Sequence, residues 1–94
     1  MKDETALSGD SELLTPTLIK AARILLGYDQ KTLSKKVGVS TKTLSLIETM
    51  KAEPLDPRRR RVLEDMRRKM ENELLVEFVF ASDNSGEGVR IRRA

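Results

Sequence analysis

The chain has 94 residues, with 18 Lys and Arg against 15 Asp and Glu, no Cys, no His, and only Tyr28, Phe78 and Phe80 as aromatics. That length suits one domain with a single small aliphatic core. The missing thiols and imidazoles exclude disulfides and a Cys/His metal site, and no apolar run reaches membrane length. Charge is unevenly spread: residues 1–14 carry one Lys against four acids, a net of −3, which leaves +6 on the rest. A basic excess of this kind is compatible with a polyphosphate partner. With no signal-peptide pattern, a cytoplasmic location is expected.

The elements follow in chain order. Residues 1–13 are polar and acidic without an apolar period and are expected to be a disordered lead-in. A first helix is expected from Thr15 as cap and Pro16 in the first turn to Leu26, with Gly27 ending it and Leu14 stapling onto Ile19. Asp29 caps a second helix. Within residues 30–50, Leu33, Val37, Val39, Leu44 and Ile47 are apolar, and the steps inside each helix are the 3 or 4 of helical spacing. Gly38 between the helices supplies the positive φ that a sharp turn needs. Ser40 is the N-cap of a third helix over about residues 41–50. A connector over 51–55 leads to Asp56-Pro57, the start signal of a fourth helix reaching about Glu73. Its stripe is Val62, Met66 and Met70 with Leu63 beside them, and its opposite face carries Arg58 to Arg61 and Arg67 to Lys69. Beyond it the period shortens. Residues 75–80 and 89–93, with turn chemistry between them, predict a β-hairpin with Phe78 and Phe80 on one face. A lone hairpin is marginal in water, so this one must pack on the fourth helix or pair with another chain.

The third helix leaves Thr41, Lys42, Ser45, Leu46 and Thr49 exposed, side chains that can reach base edges in a major groove. Here the sequence resembles a known family. Ala21-Ala22-Arg23, Leu26-Gly27-Tyr28-Asp29-Gln30, Leu33, Gly38-Val39-Ser40 and Leu46-Ile47-Glu48 match, in order and spacing, the Cro and phage-repressor type of helix-turn-helix, the XRE family. The resemblance implies a mainly α, lambda-repressor-like helix-turn-helix bundle, to which this chain adds the fourth helix and the C-terminal β-hairpin.

The resemblance also implies roles. Thr41, Lys42, Ser45 and Leu46 become candidate base-facing residues, and Gln30, Ser40, Thr43 and Lys51 candidate phosphate contacts. Gly38, Leu44 and Ile47 hold the unit together, as does an ion pair between Arg23 and Glu48 that links the first helix to the end of the third. Three departures from the family pattern stand out. Ser34 occupies a position where alanine is usual and asks for a hydrogen bond, expected to the Gln30 carbonyl. Thr49-Met50-Lys51 has no glycine where the family usually has one shortly after the glutamate, and the third helix lacks the glutamines common among relatives, so the target sequence does not transfer.

The expected organisation is a disordered segment over 1–13, a DNA-binding core over 14–55, and a dimerisation or partner-binding region over 56–94. Two function classes follow. One is a sequence-specific double-stranded DNA-binding regulator acting as a homodimeric repressor. The other is an antitoxin-type protein that binds a toxin through its C-terminal third and represses its own promoter. No catalytic constellation is visible, so no enzyme activity, cofactor, metal or membrane association is expected.

Overall fold

The computed structural model describes residues 13–50 and 57–93. The acidic segment, the connector with Lys51, and the Asp56 start signal lie outside those residues. The elements are α1 (Pro16–Leu26), α2 (Gln30–Val37), α3 (Thr41–Thr49), α4 (Pro57–Glu73), β1 (Val76–Val79) and β2 (Gly88–Ile91).

Each of the first three helices starts where a side-chain oxygen meets a free N–H. Thr15 accepts from the Leu18 amide at 3.1 Å, Asp29 from Thr32 at 2.7 Å, and Ser40 from Thr43 at 3.0 Å. Such caps contribute about 1 kcal/mol each. The first two helices end on glycines in the left-handed region, Gly27 at φ 75° and Gly38 at φ 76°. At the first of these, the Tyr28 amide reaches back to the Arg23 carbonyl and the Gly27 amide to Ile24, as in a Schellman motif. α3 has no glycine. It ends at Thr49, Met50 is extended, and the Thr49 hydroxyl takes up the Ser45 and Leu46 carbonyls.

α3 packs against α1 and α2, while α2 also meets α4. The shared core is aliphatic: Leu14, Leu18, Ile19, Ala22, Leu33, Val37, Leu44, Ile47, Leu63, Met66, Met70 and Val76. On α4 the buried stripe is Leu63, Met66 and Met70, with Val62 only half-buried. Met66 and Met70 of the expected stripe are buried, and Leu63 takes the place of Val62 because positions 63, 66 and 70 step by 3 and 4 and so share one face. Asp65 pairs with Arg68 at 2.8 Å.

The hairpin packs on its own chain, β2 against α1 and β1 against α4. Its strands are antiparallel, with Val76 facing Ile91 and Phe78 facing Val89 on the core side, and Glu77 facing Arg90 on the other. An ion pair of 2.7 Å joins those last two. The loop is tied down as well: the Thr15 hydroxyl donates to the Glu87 carboxylate at 3.0 Å. Leu75, between α4 and β1, holds a φ of 61°, a conformation that costs a branched side chain about 1 kcal/mol.

Lys69 closes the turn between α2 and α3. Its Nζ donates to the Val37 carbonyl at 3.3 Å and would stand 2.9 Å from a Cβ placed on Gly38. A Cβ on Gly27 would meet nothing within 4 Å. Gly38→Ala should therefore cost about 1–2 kcal/mol for the left-handed backbone, plus displacement of the lysine. Gly27→Ala should cost the backbone share alone. Chemical denaturation measures both losses; the flexible end of Lys69 gives way cheaply, so the excess at Gly38 should be small, and a smaller loss at Gly38 than at Gly27 would refute the Lys69 contact.

Candidate nucleic-acid interface

α2 and α3 together carry Lys31, Lys35, Lys36 and Lys42, all exposed, and one acid, Glu48. Glu48 is buried at 6 % exposure and is held from two sides. Arg23 donates through Nε to one carboxylate oxygen at 2.8 Å and through Nη2 to the other at 3.1 Å, and its Nη1 donates to the Tyr28 carbonyl at 3.1 Å. Gln30 donates its amide to the same carboxylate at 3.1 Å. The one negative charge within the two helices is thus neutralised inside the fold, and their own exposed charged side chains are all lysines.

Burial pushes the Glu48 carboxyl up, but the hydrogen bonds from Arg23 and Gln30 and the nearby Arg23 and Lys20 charges outweigh it and hold the group below the usual carboxylate range. The same hydrogen bond raises the Arg23 guanidinium. The Thr32 amide, with the Thr32 hydroxyl, holds the exposed Asp29 carboxyl low. That ionised carboxylate sits at the α2 N-terminus and occupies an N–H that a phosphate would otherwise use.

On α3, Lys42 and Leu46 are exposed, Leu46 at 53 %, and Ser45 is half-buried. Thr41 is exposed, but its hydroxyl lies 3.1 Å from that of Ser34. Ser34 donates to the Lys31 carbonyl at 2.8 Å, or alternatively shares its proton with Thr41. The expected Gln30 carbonyl is not its partner: the hydroxyl meets the i−3 oxygen of Lys31 while it faces Thr41. The serine therefore links the two helices at their closest crossing, where alanine would only pack.

Among the candidate phosphate contacts, the Ser40 hydroxyl is fully engaged: it accepts from the Thr43 amide and donates to the Thr43 hydroxyl at 2.9 Å. This chain of bonds leaves the Thr43 proton as the outward donor. Gln30 spends one of its two amide protons on Glu48 and keeps the second. Lys51 lies outside the described residues. The fold thus brings Gln30, Thr41, Lys42, Thr43, Ser45 and Leu46 onto two adjoining helices. It holds Gly38, Leu44 and Ile47 beneath them, the last two with no exposure.

Two contacts were not foreseen from the sequence, the Gln30 bond to Glu48 and the Lys69 lock on the turn. The signal for the second was slight. Lys69 directly precedes the buried Met70, and such a neighbour lies at the edge of the packed face.

The arginines of the C-terminal third are largely engaged among themselves and their acids. Arg67 pairs with Glu71 at 2.8 Å and lies over the Phe80 ring at 4.6 Å; Arg90 pairs with Glu77; and Arg92 donates to the Glu71 carbonyl at 2.8 Å. Among the described residues no His, Cys, Asp and Glu group is arranged to hold a metal, and no helix is long and apolar enough to cross a membrane.

The bridge makes a pH-dependent prediction. A carboxyl held low in the folded chain contributes its full stability above the unfolded value of about 4.3 and loses it as pH falls through the folded value. Glu48→Gln should therefore trail the parent in stability at neutral pH, and the gap should shrink on acidification below about pH 4.3. Glu48→Ala should lose about 3 kcal/mol, leaving Arg23 half-buried without its partner. Denaturation at several pH values reads both effects; a gap that does not change with pH would refute an ionised bridge.

No curated protein matches the chain. A family model described as helix-turn-helix does match, over residues 19–58, the span that holds α1 from Ile19, the Gly38 turn and all of α3. With the Arg23–Glu48 bridge, the glycine turn and the cationic α2–α3 surface in their places, residues 19–58 are a helix-turn-helix domain of the Cro and phage-repressor (XRE) type, the DNA-binding domain of transcriptional regulators.

Proposed function

We propose that the chain is a sequence-specific transcriptional repressor that binds double-stranded DNA as a homodimer, with α3 entering the major groove. The observation that carries this reading is the charge arrangement of α2 and α3: four exposed lysines beside a lone acid withdrawn into a buried pair. Such a surface favours phosphates, with the exposed Asp29 at the α2 N-terminus as the one like charge beside it.

In this reading Lys42, Ser45 and Leu46 face bases. Lys42 suits guanine O6 and N7, Ser45 either kind of acceptor, and Leu46 a thymine methyl. Thr41 contributes its remaining hydrogen-bonding capacity beyond Ser34. Thr43 and the second amide proton of Gln30 hold backbone phosphates, Lys51 is assigned the same role by its cationic side chain, and Ser40 works indirectly through Thr43. Two copies related by a twofold axis would set their α3 helices about one DNA turn, roughly 34 Å, apart on a palindromic site.

Selection from a random DNA pool with the purified chain should return symmetric half-sites, and unstructured winners would contradict specificity. On the selected site, log K should fall with log salt at a slope of about −0.9 per phosphate contacted; a flat response would refute electrostatic anchoring. Lys42→Ala should cost about 1–3 kcal/mol at that site and relax preference at one base position. A loss of equal size on all sequences would move Lys42 to the phosphate set.

A further inference from the structure

We propose that the outer edge of β1 is a self-complementary seam on which a second copy of this chain pairs antiparallel, giving a four-stranded sheet of order β2-β1-β1-β2 across the dimer. The inference rests on the dimeric reading above and names the surface it uses.

The register carries the argument. The Arg92 amide donates to the Leu75 carbonyl at 2.8 Å, so residues 75 and 92 form a hydrogen-bonded pair. Hydrogen-bonded and non-bonded pairs alternate along an antiparallel ladder. Glu77 with Arg90 and Val79 with Gly88 therefore exchange the inner bonds, whereas Val76 and Phe78 direct their N–H and C=O groups outward. Continuing the alternation one residue past β1 assigns Phe80 the same direction. Outward groups at 76, 78 and 80 match a copy of themselves run in reverse: Phe78 meets Phe78 on the twofold axis and Val76 meets Phe80.

The edge is also open and unguarded. A groove of about 280 Å3 lies beside it, lined by Glu71, Asn72, Val76, Glu77, Phe78 and Arg92. Natural sheets protect free edges with proline, lysine or an unpaired charge. Residues 76–80, VEFVF, offer only Glu77, and Arg90 already neutralises it at 2.7 Å. The charge pattern is compatible with the self-pairing register, because Glu77 falls opposite the Val79 of the second copy rather than opposite its Glu77. Val79 is 47 % exposed, and the Phe78 and Phe80 rings, 6.2 Å apart, are half-buried, so pairing would cover apolar surface on both sides of the sheet. The β2 edge is the less suitable one, since Arg90 and Arg92 line that strand and it is the strand packed on α1.

Two measurements on the full chain test the seam. Phe80→Pro removes an outward N–H without touching a β1–β2 bond, and Phe80→Ala removes the same ring but keeps the N–H. In sedimentation equilibrium, Phe80→Pro should raise the dimer dissociation constant at least about tenfold over Phe80→Ala, with thermal melting confirming that both fold. In a chain free of cysteine, Phe78→Cys should oxidise to a linked dimer, because the paired α-carbons would stand about 5.5 Å apart, within disulfide reach. Val89→Cys on the other edge should not. A dimer that Phe80→Pro leaves as tight as Phe80→Ala does, with no cross-link from Phe78→Cys, would overturn the seam while sparing the dimeric reading. A parent chain that remains monomeric when bound to a selected palindrome would overturn both.

Discussion

The buried carboxylate of Glu48 is the constraint on which the arrangement of the helices depends. It comes from the penultimate residue of α3, receives two bonds from Arg23 on α1 and one from Gln30 at the start of α2, and so fixes all three helices to one point. A charge with almost no exposed side chain is costly to bury unless its oxygens are satisfied, and here both are. The network sets where α3 can lie, because any shift of that helix would leave a carboxylate and a guanidinium without partners. It also explains how two lysine-bearing helices can contain an acid without exposing its charge.

The remaining links in the chain from sequence to surface are arranged around that point. Gly38 turns the chain, Lys69 reaches from α4 to the carbonyl that precedes the glycine, and Ser34 joins α2 to Thr41 at the crossing. Leu44 and Ile47 then pin α3 to the core with no exposure, which leaves Lys42 and Leu46 outward. The geometry of α3 is thus supported from beneath by apolar packing and from its two ends by polar contacts. Rigid support of this kind is what turns an exposed side chain into a positioned one.

The C-terminal third completes the core rather than standing apart from it. Val76 of β1 is as buried as the helix residues, β2 lies against α1, and Thr15 at the start of α1 is bonded to Glu87 in the hairpin loop. A hairpin that closes its own monomer's core still presents an edge, and those two facts are independent. Packing uses one face of the sheet, whereas strand pairing uses its rim.

What the sequence by itself determined was local. The caps Thr15, Asp29 and Ser40, the turn glycines 27 and 38, the helix lengths and the hairpin all follow from interactions within a few residues, where residue type dictates backbone conformation. The Arg23–Glu48 pair was legible only through its resemblance to a family, since its partners are 25 residues apart. The tertiary structure alone decided that Gln30 serves Glu48, that Ser34 bonds Lys31 and Thr41, that Lys69 rather than a solvated face closes the turn, and that Leu63 rather than Val62 enters the core. Each of those depends on how two helices cross. A rotation of a fraction of a turn changes which side chain meets which oxygen, while the spacing of residues along the chain stays the same.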